Sequence, residues 1–246
     1  MDISSQIEYA LLKATTTERE IIDLCHEAKL NNYYAICINS AYVTFAKQLL
    51  DKTNIKVCTV VGFPLGATTT ESKVFEAKKA IEYGADEIEM VINLGFLKSQ
   101  NHVSVLKDIC DVKLAIGDVP LKVILEISEL NKNEIIKACE ICLDAKADYI
   151  KTSSGFSKSG ATFTAIKIIK KTIRDATKIV AYGDIEDYET AIKYLEAGAD
   201  IIGTSVNISS GNRVPQNRNA KIFKKYLEAN QKTTVLETNL TDNHQK

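Results

Sequence analysis

A lysine that ends an apolar run is costly to bury unless it is paired or used. Lys151 closes the run Ala147-Asp148-Tyr149-Ile150 and opens Thr152-Ser153-Ser154-Gly155, a small polar loop. That placement suits an amine that attacks a carbonyl and forms a Schiff base. Other reactive groups fall at similar places: Glu8, Cys37, Glu89, Lys122 with Glu126, Asp184, and Thr204-Ser205. Lys122 and Glu126 share strand parity and are expected to face one side. Spacing alone leaves two readings open, a nucleophilic amine or half of a structural ion pair.

These groups need a scaffold that brings distant segments together. Eight short β-rich runs alternate with stretches of helical period: Ile7–Leu11, Tyr34–Ile38, Lys56–Val61, Glu87–Val91, Leu121–Leu125, Tyr149–Lys151, Lys178–Ala181 and Ile201–Thr204. In the stretch Glu71–Tyr83, for example, Val74, Ala77 and Ile81 share a face. The units Glu82-Tyr83-Gly84-Ala85-Asp86 and Glu196-Ala197-Gly198-Ala199-Asp200 each read as a helix stopped by glycine before a strand. Alternation implies a parallel sheet, and eight units imply a single-domain TIM (β/α)8 barrel over residues 1–210, with its active site at the carboxyl ends of the strands. An open doubly wound sheet is the alternative. It lacks support, because no G-x-G-x-x-G follows the first run. Residues 211–246 read as an extension: a turn at Gly211–Pro215, a short helix around Ala220–Ala229, and a polar, disordered tail from Gln231.

Composition narrows the function classes. Lys and Arg number 31 against 32 Asp and Glu, so no basic surplus points to nucleic acid. No apolar run approaches the roughly 18 residues of a membrane helix. The opening MDISSQIEYA lacks the regions of a signal peptide, so a cytoplasmic location is expected. The six cysteines show no disulfide spacing. Cys139 and Cys142 are read as helix packing, because no second ligand pair supports a metal.

Several motifs carry a family resemblance. Lys151-Thr152-Ser153-Ser154-Gly155-Phe156 resembles the Schiff-base lysine motif K-T-S-[TS]-G of the deoxyribose-phosphate aldolases. Val60-Val61-Gly62-Phe63-Pro64-Leu65-Gly66, followed by Thr68-Thr69-Thr70-Glu71, is similar to a second signature of that family. Lys122-Val123-Ile124-Leu125-Glu126 and Gly203-Thr204-Ser205 are similar to two more. The match runs in order from about Ile7 to Ser205. The resemblance implies metal-free cleavage of 2-deoxyribose 5-phosphate to acetaldehyde and glyceraldehyde 3-phosphate, with Lys151 as the Schiff-base lysine and no cofactor. Glu8, Glu89, Lys122 and Glu126 would complete the catalytic set. Cys37, Thr152, Lys158, Asp184, Thr204 and Ser205 would meet the substrate.

The chain departs from the family pattern inside one pocket. Val180 stands where the family has a second lysine, in a pattern like V-K-x-x-G-G. Glu89 replaces the acid/base aspartate of E-[IV]-D-x-V, and Glu8 and Ala10 replace residues of I-D-x-T-x-L. The longer glutamate arms would use the room the lysine leaves. Asp184 replaces a phosphate-site glycine, and Glu186 an arginine often found there. A carboxylate beside a phosphate nest repels the anion. The leading expectation is therefore a divergent aldolase-like enzyme that uses Lys151 on a carbonyl substrate other than deoxyribose 5-phosphate. Alternatives are an ordinary deoxyribose-phosphate aldolase, a recruited barrel doing acid–base chemistry such as cyclisation or isomerisation, and a non-catalytic binding protein. A homodimer is possible on this reading. Without the second lysine, another cation or burial alone must lower the Lys151 pKa, with Lys122 favoured over Lys178 as the cation; the alternative is that both lysines pair with Glu89 and Glu126 and Lys151 stays protonated.

Overall fold

The computed structural model of the chain describes residues 2–208. Eight parallel strands close into a barrel in sequence order. They are β1 (Ile7–Leu11), β2 (Ala35–Ile38), β3 (Lys56–Val61), β4 (Glu87–Val91), β5 (Leu121–Ile124), β6 (Tyr149–Lys151), β7 (Lys178–Tyr182) and β8 (Ile201–Thr204). The helices between them are α1 (Glu18–Asn31), α2 (Val43–Leu49), α3 (Thr70–Glu82), α4 (Leu94–Lys98), α5 (His102–Ile116), α6 (Lys132–Asp144), α7 (Phe163–Ile173) and α8 (Tyr188–Glu196). The TIM-barrel expectation holds. The proposed C-terminal extension, with its turn, helix and tail, lies outside the described residues.

Two strand ends differ from expectation in ways that matter for the site. β5 stops at Ile124, and Glu126 beyond it adopts a left-handed backbone, φ 57°. β7 runs one residue further than the sequence indicates and ends on an inward Tyr182.

Strand alternation divides the side chains between two environments. Residues such as Ile36, Ile88, Val123 and Ile150 face outward into the main core beneath the helices. Cys139 and Cys142 lie in that core as helix packing, and all six cysteines are free thiols. The inner face carries Tyr34, Tyr149, Val180 and Ile201 toward the amino ends. Ala10, Leu12, Cys37, Cys58, Val60 and Tyr182 pack together toward the carboxyl ends. A charged group lies between them.

The glycine-stopped helix ends are as read, with φ 102° at Gly84 and 114° at Gly198. The aspartate that follows each has a structural task. Asp86 Oδ2 accepts from Val57 N, and Asp200 Oδ2 accepts from Ile179 N, each at 2.8 Å. Asp148 does the same for Leu121 N at 2.8 Å. Each carboxylate thereby fixes the start of the strand before its own.

Candidate active site

Four of the five residues expected to be catalytic meet inside the barrel. Lys151 Nζ lies 2.7 Å from Glu8 Oε1 and 2.7 Å from Glu89 Oε2. Lys122 Nζ makes a close ion pair with Glu8 and lies 3.5 Å from Glu89 Oε1. It also lies 2.8 Å from Glu87 Oε2. Period two places Glu87 and Glu89 on the same face of β4, just as it places Tyr149 and Lys151 on β6. Register brings Glu89 opposite Lys122 and Lys151 opposite Val180. The whole group is buried, and Lys151 is 1% exposed.

Three carboxylates therefore face two ammonium groups in a water-poor interior. Buried like charges cannot all ionise freely, so the carboxyl groups separate in acidity. Burial raises Glu8, but Lys122 and Lys151 outweigh it and hold its pKa below the usual carboxylate range. Burial and the Glu8 charge push Glu89 above that range. Glu8 touches both amines closely and is the better-compensated anion, and Glu89 is the carboxyl that holds a proton more readily.

The expectation that a neighbouring cation lowers Lys151 is corrected. Burial does pull the amine down, but the Glu8 and Glu89 carboxylates hold it well above the ordinary lysine range. Lys122 sits behind the same two carboxylates, so its charge is spent on them. Lys178 is exposed at the start of β7, with its amine 5.5 Å from the centre of the Tyr149 ring.

The other expected residues have other settings. Glu126 does not join the cluster. It accepts from the Ser154 hydroxyl in a short bond and from Ser154 N at 3.4 Å, and burial raises its pKa. Its left-handed backbone breaks the parity that links it to Lys122. Cys37 faces the cluster from β2, with its thiol pushed up by burial. Thr152 bridges β6 and β7, donating to Tyr182 O at 3.1 Å and accepting from Tyr182 N at 3.0 Å. Thr204 donates to Ile185 O at 2.8 Å. Lys158 is a solvated side chain paired with Glu129 at 3.0 Å.

Above β6, β7 and β8 a mouth cavity of about 160 Å³ is lined by Gly155, Lys158, Gly160, Asp184, Glu186 and Ser205, among others. Asp184 sits on a left-handed backbone, φ 59°, and its Oδ2 accepts from Gly160 N at 2.7 Å. A carboxylate of the chain thus occupies a backbone donor in the wall of this cavity.

Sequence reasoning passed over Glu87, Cys58, Tyr34 and Tyr182. Tyr34 donates a short hydrogen bond to Glu87 and lies 3.2 Å from the Tyr149 hydroxyl. Strand parity with Glu89 was the available signal for Glu87. Cys37, Cys58 and Glu89, and likewise Glu8, Cys58 and Glu87, converge closely enough to suit a metal. The carboxylates of both groups already face the lysine amines.

A closed barrel of eight parallel strands with paired lysines and carboxylates buried inside it is a TIM barrel with a charged interior. The model of the DeoC/LacD family aldolases matches residues 8–187, and the chain belongs to that family. A deoxyribose-phosphate aldolase of Carboxydothermus hydrogenoformans is 47% identical over 211 residues, 84% of this chain and 92% of that one. One from Histophilus somni is 45% identical over 216 residues, 88% of this chain and 96% of that one. Among solved structures, the tetrameric deoxyribose-phosphate aldolase of Aeropyrum pernix superposes with a TM-score of 0.77 at 30% identity, over 82% of this chain and 86% of that one. Among the described residues no helix is long and apolar enough to cross a membrane.

Proposed function

We propose that the protein is a carbon–carbon lyase of the deoxyribose-phosphate aldolase type that forms a Schiff base through Lys151 on a carbonyl substrate without a phosphate group. The observation that carries the reading is the Lys151 amine held 2.7 Å from both Glu8 and Glu89 beneath the barrel mouth. An ion pair at that distance is also a proton-transfer pair. The Lys151 ammonium first gives a proton to Glu89, whose raised pKa makes it the better acceptor of the two carboxylates. The free amine adds to the substrate carbonyl, and loss of water leaves an iminium. A carboxylate then removes the proton of the β-hydroxyl group. The carbon–carbon bond breaks, its electron pair moves toward the iminium nitrogen, and one aldehyde leaves. The remaining enamine is protonated at carbon, and water releases the second carbonyl product and the amine. No step calls for a metal or a cofactor.

The absence of a phosphate requirement rests on Asp184. Its carboxylate holds Gly160 N, Glu186 lines the same cavity, and Lys158 is turned to Glu129. A phosphate placed there would meet two carboxylates and one solvated lysine. The same reading takes the enzyme as a homodimer in the cytoplasm. Phe75 and Leu114, 65% and 80% exposed, support self-association, as they line one groove between α3 and α5.

Reductive trapping tests the Schiff base. The protein is treated with acetaldehyde and borohydride between pH 7 and 9 and mapped by peptide mass spectrometry. We expect an ethyl group on Lys151 above the level found on exposed Lys158, with a yield that rises with pH because the ammonium must first lose its proton. No adduct on Lys151 at any pH in that range, while exposed Lys158 is labelled in the same samples, would overturn the reading. Acid–base chemistry through Glu8 and Glu89 would then take its place.

A further inference from the structure

Lys151 is closed off from solvent, and one aromatic side chain lies directly against its amine. Tyr182 ends β7, and its ring lies with the Lys151 amine 4.3 Å from its centre. The same ring lines the mouth cavity from the inside. It is 7% exposed and packs with Ala10, Leu12, Cys37, Cys58 and Val60, the apolar layer over the charged group. Glu8 and Glu89 hold the amine from one side and the ring faces it from another. In this arrangement a carbonyl carbon has no free approach to the nitrogen.

Two glycines create the space that the ring occupies. A Cβ on Gly203 would fall 2.5 Å from Tyr182 Cδ2, and one on Gly155 would fall 2.8 Å from Cε1. Real side chains do not tolerate such distances. Burial pushes the phenol pKa up to about 12, so the hydroxyl stays un-ionised near neutral pH. What Tyr182 sets against the Lys151 amine is its bulk and its ring face. The cavity outside it, bordered by Gly155, Gly160 and Gly183, offers the ring a place to go.

We propose that Tyr182 is the gate and size filter of the Lys151 site, so that only slender, unbranched carbonyl compounds without a phosphate reach the amine when the ring swings into the mouth cavity. The proposal rests on the Schiff-base reading for its chemistry, but the gate itself can be tested separately. Cys37 packs in the same layer as Tyr182, whereas Cys142 is buried in the main core under the helices and reports loosening of the whole barrel.

The first measurement is the rate at which methyl methanethiosulfonate and N-phenylmaleimide modify each cysteine in the parent, Tyr182→Phe and Tyr182→Ala. A shielded group reacts through local opening, so Tyr182→Ala is expected to speed Cys37 by about tenfold or more, most for the bulky reagent. Tyr182→Phe should match the parent, and Cys142 should not change. An unchanged Cys37 rate, or a rise matched at Cys142, overturns the gate. The second measurement compares reductive trapping of acetaldehyde and the branched pivaldehyde on Lys151. The parent should favour acetaldehyde, and Tyr182→Ala should reduce that preference by about tenfold or more. An unchanged preference overturns the size filter. Should no aldehyde trap on any variant while Cys37 responds as expected, the Schiff-base reading fails and the gate stands.

Discussion

At the residue scale, the central feature is an uneven interior of Glu8, Glu87 and Glu89 against Lys122 and Lys151. Both lysines share Glu8 and Glu89, but Lys122 lies closer to Glu8, and the ionised form of Glu8 is the stabilised one. Replacing it leaves two buried ammonium groups with poorer partners. Glu8→Gln should therefore cost about 3–5 kcal/mol, the usual consequence of breaking a buried ion pair. Glu89 is the opposite case, because its folded pKa is raised. The folded chain holds that proton more tightly than the unfolded chain does, so this group's contribution to stability falls as pH rises above the ordinary carboxylate value. Glu89→Gln leaves two carboxylates with two lysines and should cost much less than Glu8→Gln, while removing the proton carrier and hence the activity. Urea unfolding of both variants at pH 7 checks this. Equal losses, or a larger loss for Glu89→Gln, would contradict the assignment.

At the scale of elements, the strands were legible because each is a short apolar run with a turn signal after it, and a closed barrel follows from eight of them. The charged cluster was partly legible for the same reason. Glu8, Glu89, Lys122 and Lys151 lie on strands whose alternation fixes their facing. Glu126 was misplaced because its facing depends on one left-handed residue after β5, which no periodicity reveals. Tyr182 was missed because an aromatic at a strand end reads as core. Its role depends on two distant glycines. Lys73 was also hidden within a helix read by its apolar face. It is fully buried in α3, with its amine 2.6 Å from Asp108 Oδ2 of α5 and 3.0 Å from the Val91 carbonyl of β4. Thr70 donates to the other Asp108 oxygen at 2.9 Å. This pair ties two helices to the barrel wall away from the proposed chemistry. Asp108→Asn should lower stability by about 3–5 kcal/mol, because it leaves a buried charge without its partner. Its trapping at Lys151 should be unaltered below the melting transition. A loss under about 1 kcal/mol in thermal or chemical unfolding would show that the pair adds little.

At the scale of the molecule, the barrel joins a charged interior, an aromatic gate and a mouth where Asp184 takes the backbone donor of Gly160. Outside, Phe75 and Leu114 leave an apolar groove between α3 and α5 uncovered. We expect a dimer by light scattering, and Phe75→Lys combined with Leu114→Lys should shift it to monomer by burying charge at the contact. A parent that is monomeric, or a double variant that still dimerises, would place the interface elsewhere or remove it. The central claim, a Lys151 lyase without a phosphate requirement, is tested most directly by cleavage of paired sugars. Release of acetaldehyde is followed from 2-deoxyribose and from 2-deoxyribose 5-phosphate, with the parent and with Lys151→Met. The account predicts that kcat/KM for the unphosphorylated sugar equals or exceeds that for the phosphate, and that Lys151→Met is inactive on both. A preference for the phosphate of about a hundredfold or more, the scale at which a built anion site discriminates, would contradict it, as would full activity in Lys151→Met.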